Sequence, residues 1–391
     1  MSRLRDLERL AGRMVMVGVR GASPDDPQFR ADLAALQDAG CRAVVLFDVD
    51  LPTLTALREQ NPEAPVTDAP RNVLSPAQLR DLCDHLHEAL GPGAIIAVDQ
   101  EGGRVARLNP RRGFPEFPSA AAVADMTDAQ RADAAHQLAE TLAGARINLN
   151  FAPCVDLALN PRSPIIAGKG RAYSADPRRV AHCAAEVITA HEEKRVRACL
   201  KHFPGHGSAT SDSHLGLPDI TRPYDADAEL APYRSLIERF RRETATPDAA
   251  LRAPAWPFAI MTAHLLHRRI DADHPASLSR AHTEGTLRNA LGFQGVIVTD
   301  SLDMGAITSR YSPAEAAARA AAAGADLVLD ALNSPGPARP NPAPQLAEAL
   351  ARAAYDKQLD LTPRKLQQSN DRLDRLFPTL PIGSAMGRGQ G

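Results

Sequence analysis

The stretch Val196-Arg-Ala-Cys-Leu200, followed by Lys201-His-Phe-Pro-Gly-His-Gly-Ser-Ala-Thr-Ser-Asp-Ser-His214, decides the fold. Its first part is mostly apolar, which predicts a buried strand. The second part holds three histidines, a lysine, an aspartate and several hydroxyls, with Pro204, Gly205 and Gly207 as breakers of regular structure. Because buried polar groups each need a partner, this mixture predicts a long loop leaving the carboxyl end of the strand.

The same succession of an apolar run and a polar or helical segment recurs along the chain. Short β-rich runs lie at 14–19, 43–47, 94–98, 147–151, 196–200, 258–261, 296–298 and 327–329. Helical patterns alternate with them, near 28–39, 76–90, 127–145, 176–194, 226–242, 280–291, 313–323 and 344–356. This alternation predicts an α/β fold, a single (β/α)8 TIM-type barrel, with a doubly wound open sheet as the alternative.

Composition argues against several classes of protein. The 391 residues carry a formal net charge of −2, which gives no reason to expect nucleic acid or a membrane as partner. The five cysteines include no CxxC pair, so we expect reduced core thiols. The N-terminus lacks the apolar region of a signal peptide, and no stretch reaches a membrane span. We therefore expect a cytoplasmic protein, a monomer or a weak homo-oligomer.

The domain organisation follows from the same patterns. We expect one barrel domain over residues 1–380, without a second domain. Two proline-rich segments, 242–257 and 333–344, show little periodicity and are expected to be surface excursions. The tail 381–391 is expected to be disordered.

Active sites of (β/α)8 barrels lie on the loops after the strands, and polar segments do follow four of the apolar runs. These segments are Asp99 to Arg107, Lys201 onward, Thr262-Ala-His264 and Thr299-Asp300-Ser301. Taken singly, Asp99 and Asp300 could equally be turn, cap or ion-pair residues, and Asp303 could be the cap instead. The glycines after Glu101 match no nucleotide-binding motif; they allow a sharp turn that places Asp99 and Arg107 on one rim.

The histidines of the 201–214 stretch permit three interpretations. His202, His206, Asp212 and His214 could bind zinc or iron, although their spacing matches no common ligand motif. Asp212 and His214 could form a dyad in which the carboxylate orients the imidazole for proton transfer near neutrality. The histidines could also be surface residues of a mobile loop.

Together these motifs resemble those of glycoside hydrolase family 3, in particular its short bacterial β-N-acetylglucosaminidases. The resemblance spans roughly residues 10–330. It is carried by Asp99-Gln-Glu-Gly-Gly-Arg-Val105, Phe151-Ala-Pro-Cys-Val-Asp156, Gly170-Arg-Ala-Tyr173, Lys201 to His214, Met261-Thr-Ala-His264 and Gly295-Val-Ile-Val-Thr-Asp300.

The resemblance implies a TIM-type barrel that uses no metal or other cofactor and acts on a carbohydrate. It implies that Asp300 is the nucleophile and His214 the general acid/base, with Asp212 as its charge partner. The positions that match the family's sugar-binding residues are Asp99, Arg107, Arg171, Lys201 and His202. The implied reaction is retaining, exo-acting removal of terminal β-linked GlcNAc through a covalent glycosyl-Asp intermediate, in the recycling of peptidoglycan muropeptides.

Some positions depart from the family pattern. Ser301 stands where many cytoplasmic relatives carry a second aspartate, and the 242–257 insertion has no counterpart, so it could reshape the aglycone side. Three alternatives stay open: a β-N-acetylglucosaminide phosphorylase or other β-glycosidase of the family, a metal-dependent barrel hydrolase, and a non-catalytic sugar-binding protein.

Overall fold

The computed structural model of the protein describes residues 2–211, 213, 216–243 and 256–378. Eight parallel strands form one sheet in the order β8-β1-β2-β3-β4-β5-β6-β7. They are β1 Val15–Gly18, β2 Ala43–Leu46, β3 Ile95–Val98, β4 Leu149–Asn150, β5 Arg197–Phe203, β6 Phe258–Thr262, β7 Ile297–Thr299 and β8 Val328–Asp330. A bridge between Val298 and Leu327 joins the last two strands, so the sheet closes into the predicted barrel and the open-sheet alternative is wrong.

Helices surround the barrel. They are α1 Ser2–Gly12, α2 Pro27–Asp38, α3 Leu51–Gln60, α4 Pro76–Leu90, α5 Ala120–Ala124, α6 Asp128–Gly144, α7 Pro177–Glu193, α8 Ala226–Glu229, α9 Ala231–Glu243, α10 Gly305–Thr308, α11 Pro313–Ala323, α12 Ala343–Tyr355 and α13 Pro363–Leu376, with a π-helix at Ala281–Ala290. Short 3-10 turns lie at Val66–Asp68, Pro110–Arg112, Ala167–Lys169, Ala276–Leu278 and Gln358–Asp360. Within the described residues, no helix is long and apolar enough to cross a membrane.

Local sequence signals explain where several helices begin. Ser75, Thr127 and Asp176 each accept a backbone N–H from the first turn of α4, α6 and α7. Such caps satisfy donors that have no partner inside the helix. The strand and helix positions predicted from periodicity are confirmed, whereas α1, α3 and α13 were not predicted as barrel helices.

The predicted boundary between strand five and its loop is wrong. Strand β5 continues to Phe203, which pairs with Thr262 on β6, so Lys201 and His202 belong to the strand. Polar composition suggested a loop, but both side chains are buried and have charged or hydrogen-bonding partners. With those partners the strand can extend into polar sequence.

The barrel interior is an apolar core that the C-terminal helix closes at one end. Inward-facing residues such as Met16, Ala97 and Met261 share one core cluster with Leu376 and Phe377 at the end of α13. A groove of about 1010 Å³, lined in part by these two α13 residues, lies at this amino end of the strands, away from the polar loops.

The remaining expectations have mixed outcomes. All five cysteines are buried and free, as expected. The 333–344 segment is largely irregular, and Arg339 within it pairs with Asp303 and Asp330. Most of the 242–257 insertion and the whole 381–391 tail lie outside the described residues.

Asp326 provides a stability test of the barrel wall. It is buried and accepts hydrogen bonds from Arg288, Arg372, Ser369 and the Ile297 N–H at 2.6 to 2.9 Å. We expect Asp326→Ala to lower the free energy of unfolding by about 3–5 kcal/mol, because it leaves the Arg288 guanidinium buried without its counterion. Urea unfolding measures the loss.

Asp374→Ala is the matched control, because Asp374 pairs with Arg13 on the surface. Its loss should stay below about 1 kcal/mol. Equal losses in the two variants would contradict the assignment of a structural role to the buried pair.

Candidate active site

Asp99 and Arg107, both in the polar segment after β3, lie together on one rim of the barrel, as predicted. Asp99 directly follows β3, and a hairpin of Gln100–Gly102 and Val105–Ala106 brings Arg107 back to within 3.5 Å of the Asp99 carboxylate. Gln100 is buried and fixes this hairpin through paired hydrogen bonds with Leu108, both 2.9 Å. Gly102 has a φ of +95°, and a Cβ there would lie 2.1 Å from the Pro118 carbonyl oxygen, so glycine is required.

Buried cations and anions alternate behind this rim. Lys201 Nζ donates to Asp99 Oδ1 and contacts Glu101 Oε1, each at 2.7 Å. Arg171 binds the same Glu101 with two hydrogen bonds of 2.7 and 2.9 Å. Burial raises the pKa of the Glu101 carboxyl, but Arg171 and Lys201 outweigh it and hold that pKa well below its ordinary value. Glu101 is therefore ionised near neutrality, opposite the cations Arg171 and Lys201.

His202 continues this chain of polar contacts toward β4. Its Nδ1 lies 2.6 Å from Asp156 Oδ2, and its Nε2 lies 3.2 Å from the Arg171 guanidinium. Because a guanidinium can only donate, Nε2 must accept and the proton is on Nδ1. Burial raises the pKa of Asp156, but the contacts to His202 and His206 lower it to a net value of about 2.

The metal interpretation finds one candidate ligand set among the described residues. Cys154, Asp156 and His202 place ligand atoms within 4.8 Å of one another. However, the Cys154 thiol and His202 Nδ1 already bond to Asp156, and burial raises the pKa of Cys154 well above its ordinary value. A protonated thiol and an occupied carboxylate do not favour a metal. The predicted ligands Asp212 and His214 lie outside the described residues.

Asp300 directly follows β7, so it lies at the carboxyl end of the strands, as Asp99 does. Its N–H donates to the Thr262 carbonyl (2.8 Å), and its carboxylate accepts the Ser301 N–H (2.8 Å). Burial raises the pKa of Cys199 on β5, and that thiol also senses the charges of Lys201, Asp99 and Asp300. Asp300, Asp99 and Lys201 are therefore all near enough to Cys199 for their charges to act on its thiol.

Two neighbours brace the Asp300 loop. His264, predicted after β6, is fully buried; its Nε2 lies 2.8 Å from the Ser301 carbonyl and its Nδ1 lies 2.7 Å from the Ser277 hydroxyl. Asp303 accepts the Ser301 hydroxyl (2.6 Å) and does not cap α10, so its interpretation as a helix cap is wrong. The Ser301 hydroxyl also accepts the Ala331 N–H and so links this loop to the segment after β8.

The interpretation as surface histidines is wrong for His202 and His206. Both are buried, and neither ring nitrogen of His206 has a hydrogen-bond partner within the described part of the chain. The sequence motifs contained Glu101 and Asp156, but no role was predicted for them. Two buried cations after neighbouring strands require counterions, and this requirement could have identified Glu101.

Comparison with known proteins gives a consistent result. Residues 64–375 match the family described as glycosyl hydrolase family 3 N terminal domain. A protein called β-hexosaminidase from Pseudomonas aeruginosa is 36% identical over 262 residues, 66% of this chain and 72% of the relative. A glycoside hydrolase family 3 β-N-acetylglucosaminidase from a Paenibacillus species superposes with a TM-score of 0.76 at 30% identity, over 98% of this chain and 65% of that chain. A β-N-acetylhexosaminidase from Beutenbergia cavernae gives a TM-score of 0.71 at 25% identity, over 95% of this chain and 97% of that one.

His206 should make the protein sensitive to acid. Burial lowers its pKa from 6.5 to about 4, so the folded state binds fewer protons than the unfolded chain between these values. This contribution to stability is present above pH 6.5 and is lost as the pH falls through about 4, by about 3 kcal/mol in total. Between pH 7 and pH 4 the free energy of unfolding should fall less in His206→Phe than in the parent protein. Urea unfolding at the two pH values measures both decreases.

His136→Phe is the control, because this exposed histidine has a raised pKa. Buried His191 and His282 also have a pKa lowered to about 4 and contribute equally to the parent and both variants. An unchanged acid dependence in His206→Phe would contradict the prediction.

Proposed function

The chain belongs to glycosyl hydrolase family 3 and is a glycoside hydrolase, and we propose that it is a retaining exo-β-N-acetylhexosaminidase that removes terminal β-linked GlcNAc. One observation carries this proposal: the Asp300 carboxylate lies at the same carboxyl end of the strands as the chain of Asp99, Lys201, Glu101 and Arg171, near enough that Asp300, Asp99 and Lys201 all act on the Cys199 thiol. The names of the relatives support the choice of an N-acetylhexosamine as the sugar.

The rim suits the hydroxyl groups of a terminal sugar. One fifth of the Asp99 side chain and 29% of the Arg107 side chain are exposed, so both can reach a ligand. Lys201 has three N–H donors and directs two at Asp99 and Glu101, which leaves one for a hydroxyl. We propose that Asp99, Arg107, Lys201, His202 and Arg171 form the sugar subsite.

In the proposed mechanism the Asp300 carboxylate attacks the anomeric carbon while His214 protonates the departing oxygen, which gives a glycosyl-Asp ester and a free aglycone. Neutral His214 then takes a proton from water, whose oxygen attacks the anomeric carbon and releases Asp300. Asp212 stabilises the imidazolium. The position of Ser213 between these two residues supports their role, since its carbonyl accepts the Ala306 N–H (3.3 Å) on α10, directly after the Asp300 loop.

The loops beside the proposed sugar subsite carry two cations, the exposed Arg104 and the half-buried Lys169, that favour an anionic aglycone. Gly103 and Gly170 both pack against Ser119. A Cβ at Gly103 would lie 2.7 Å from the Ser119 Cβ, and a Cβ at Gly170 would lie 3.4 Å from the Ser119 Oγ. Arg104 and Lys169 next to these glycines therefore flank the Glu101 and Arg171 pair. This supports muropeptides, whose carboxylates these cations would attract, as substrates in a cytoplasmic recycling role.

Asp300→Asn should abolish turnover of aryl β-GlcNAc substrates, because the amide cannot form the glycosyl ester. His214→Ala should lower kcat/KM about 10²–10⁴-fold for alkyl leaving groups, and much less for dinitrophenyl, which needs no proton. Steady-state kinetics over a leaving-group series test both changes. Equal losses for all leaving groups in His214→Ala would exclude the acid role.

Arg104→Gln combined with Lys169→Gln should lower kcat/KM for GlcNAc-anhydroMurNAc peptides by about tenfold, the size of a lost charge contact of about 1.4 kcal/mol. Chitobiose, a neutral disaccharide, should be cleaved as before. Arg375→Gln on α13 is the control for a cation away from the loops. Repeating the reaction with phosphate distinguishes GlcNAc from GlcNAc 1-phosphate as product, and thus hydrolysis from phosphorolysis.

A further inference from the structure

In the turn that follows β5, residues 205–209, every backbone N–H has a hydrogen-bond acceptor. Gly205 donates to the His202 carbonyl and Ala209 to the His206 carbonyl. The N–H of His206 donates to Asp156 (2.7 Å). The remaining two, of Gly207 and Ser208, donate to Glu229 at 3.3 and 2.8 Å. Two buried carboxylates from outside the turn therefore fix its conformation.

Glu229 is packed closely against this turn. It ends the one-turn helix α8 and is 1% exposed. A Cβ at Gly205 would lie 2.4 Å from its Oε2, and Oε1 also accepts the Ser208 hydroxyl. Leu157 bounds the opposite side of the turn, where a Cβ at Gly207 would lie 2.3 Å from its carbonyl oxygen. The turn has no free space on either side in which to shift.

The geometry requires a carboxylate. Oε2 accepts from Gly207 and Oε1 from Ser208, so each oxygen faces a backbone donor. A glutamine would place its NH2 group against one of them. The titratable groups that face Glu229 are Asp156, Tyr224 and Tyr233, and no cation among the described residues pairs with it.

Keeping this carboxylate ionised opposes folding. Burial raises the pKa of Glu229 to about 7, and the Ser208 hydrogen bonds only partly offset that rise. Because the folded pKa lies above the unfolded one, the stabilising contribution is present below about pH 4.5 and is lost as the pH rises through about 7. Ionisable groups kept at such a cost are concentrated at functional sites.

We propose that Glu229 is a positioning residue for proton transfer, holding the Gly205–Ser208 backbone from which the segment with Asp212 and His214 departs. The inference rests on the proposed function, in which His214 is the acid/base. Asp212 and His214 lie four and six residues beyond Ser208. A shift of the turn would displace the proton donor relative to the leaving oxygen, and displacements of about 1 Å cost about 10²-fold in rate.

Glu229→Gln in the full-length protein tests the proposal, with alkyl and dinitrophenyl β-GlcNAc as substrates. We expect kcat/KM for the alkyl substrate to fall about 10–100-fold at pH 8 and kcat/KM for the dinitrophenyl substrate, whose departure needs no proton, to change less than about threefold. For the alkyl substrate, the ratio of the parent's kcat/KM to that of Glu229→Gln should shrink from pH 8 to pH 6. The reason is that a protonated Glu229, like glutamine, has lost one hydrogen-bond acceptor. Asp227→Asn, exposed on the same helix, should leave both rates unchanged.

Equal losses for both substrates, or a pH-independent ratio, would reduce Glu229 to a structural role and overturn the proposal. His214→Ala measured in parallel distinguishes a failure of the acid/base assignment from a failure of the Glu229 proposal. If it lacks leaving-group dependence, the acid/base assignment fails and this proposal fails with it; if it shows that dependence and Glu229→Gln does not, this proposal alone fails.

Should Glu229→Gln not fold, Ser208→Ala removes one of the three hydrogen bonds that the turn donates to Glu229. A selective loss of a few-fold on the alkyl substrate then supports the proposal, and an equal loss on both overturns it.

Discussion

The site depends on the burial of a lysine ammonium inside the mouth of a barrel. Only 2% of the Lys201 side chain is exposed, and an isolated charge in that position would be strongly unfavourable. Asp99 and Glu101 neutralise it, but their two charges then require Arg171 and Arg107. The pairing extends until the outermost groups, Asp99 and Arg107, reach solvent.

This alternation makes the side of the site that holds the proposed sugar subsite rigid. Asp99, Lys201, Glu101 and Arg171 each have a neighbour of opposite charge at hydrogen-bonding distance, so none of these four side chains can rotate without leaving a buried charge unpaired. His202 joins the same network through Arg171 and Asp156, and Asp156 also holds the backbone of the turn after β5. The two acids Asp156 and Glu229 thus connect sugar binding and the proposed proton transfer through a single turn.

The sequence predicted the barrel well because each strand and helix has a local signal. Apolar runs of strand length and capping residues such as Ser75 and Thr127 are readable without tertiary information. Asp99, Lys201 and Asp300 were found because strand ends point to one face of a barrel. The extension of β5 through His202 could not be read locally, since its polar residues are stabilised by Asp99 and Asp156, distant in sequence. Glu229 was missed for the same reason, because its partners are backbone groups about twenty residues away.

The seal formed by α13 affects how the enzyme turns over. With Leu376 and Phe377 packed into the core at the amino end of the strands, the described residues leave no passage through the barrel to that end. In the proposed exo reaction, the released monosaccharide would therefore leave through the opening by which the substrate enters. Because the monosaccharide fits the same proposed subsite as the terminal sugar of the substrate, its accumulation would inhibit catalysis competitively.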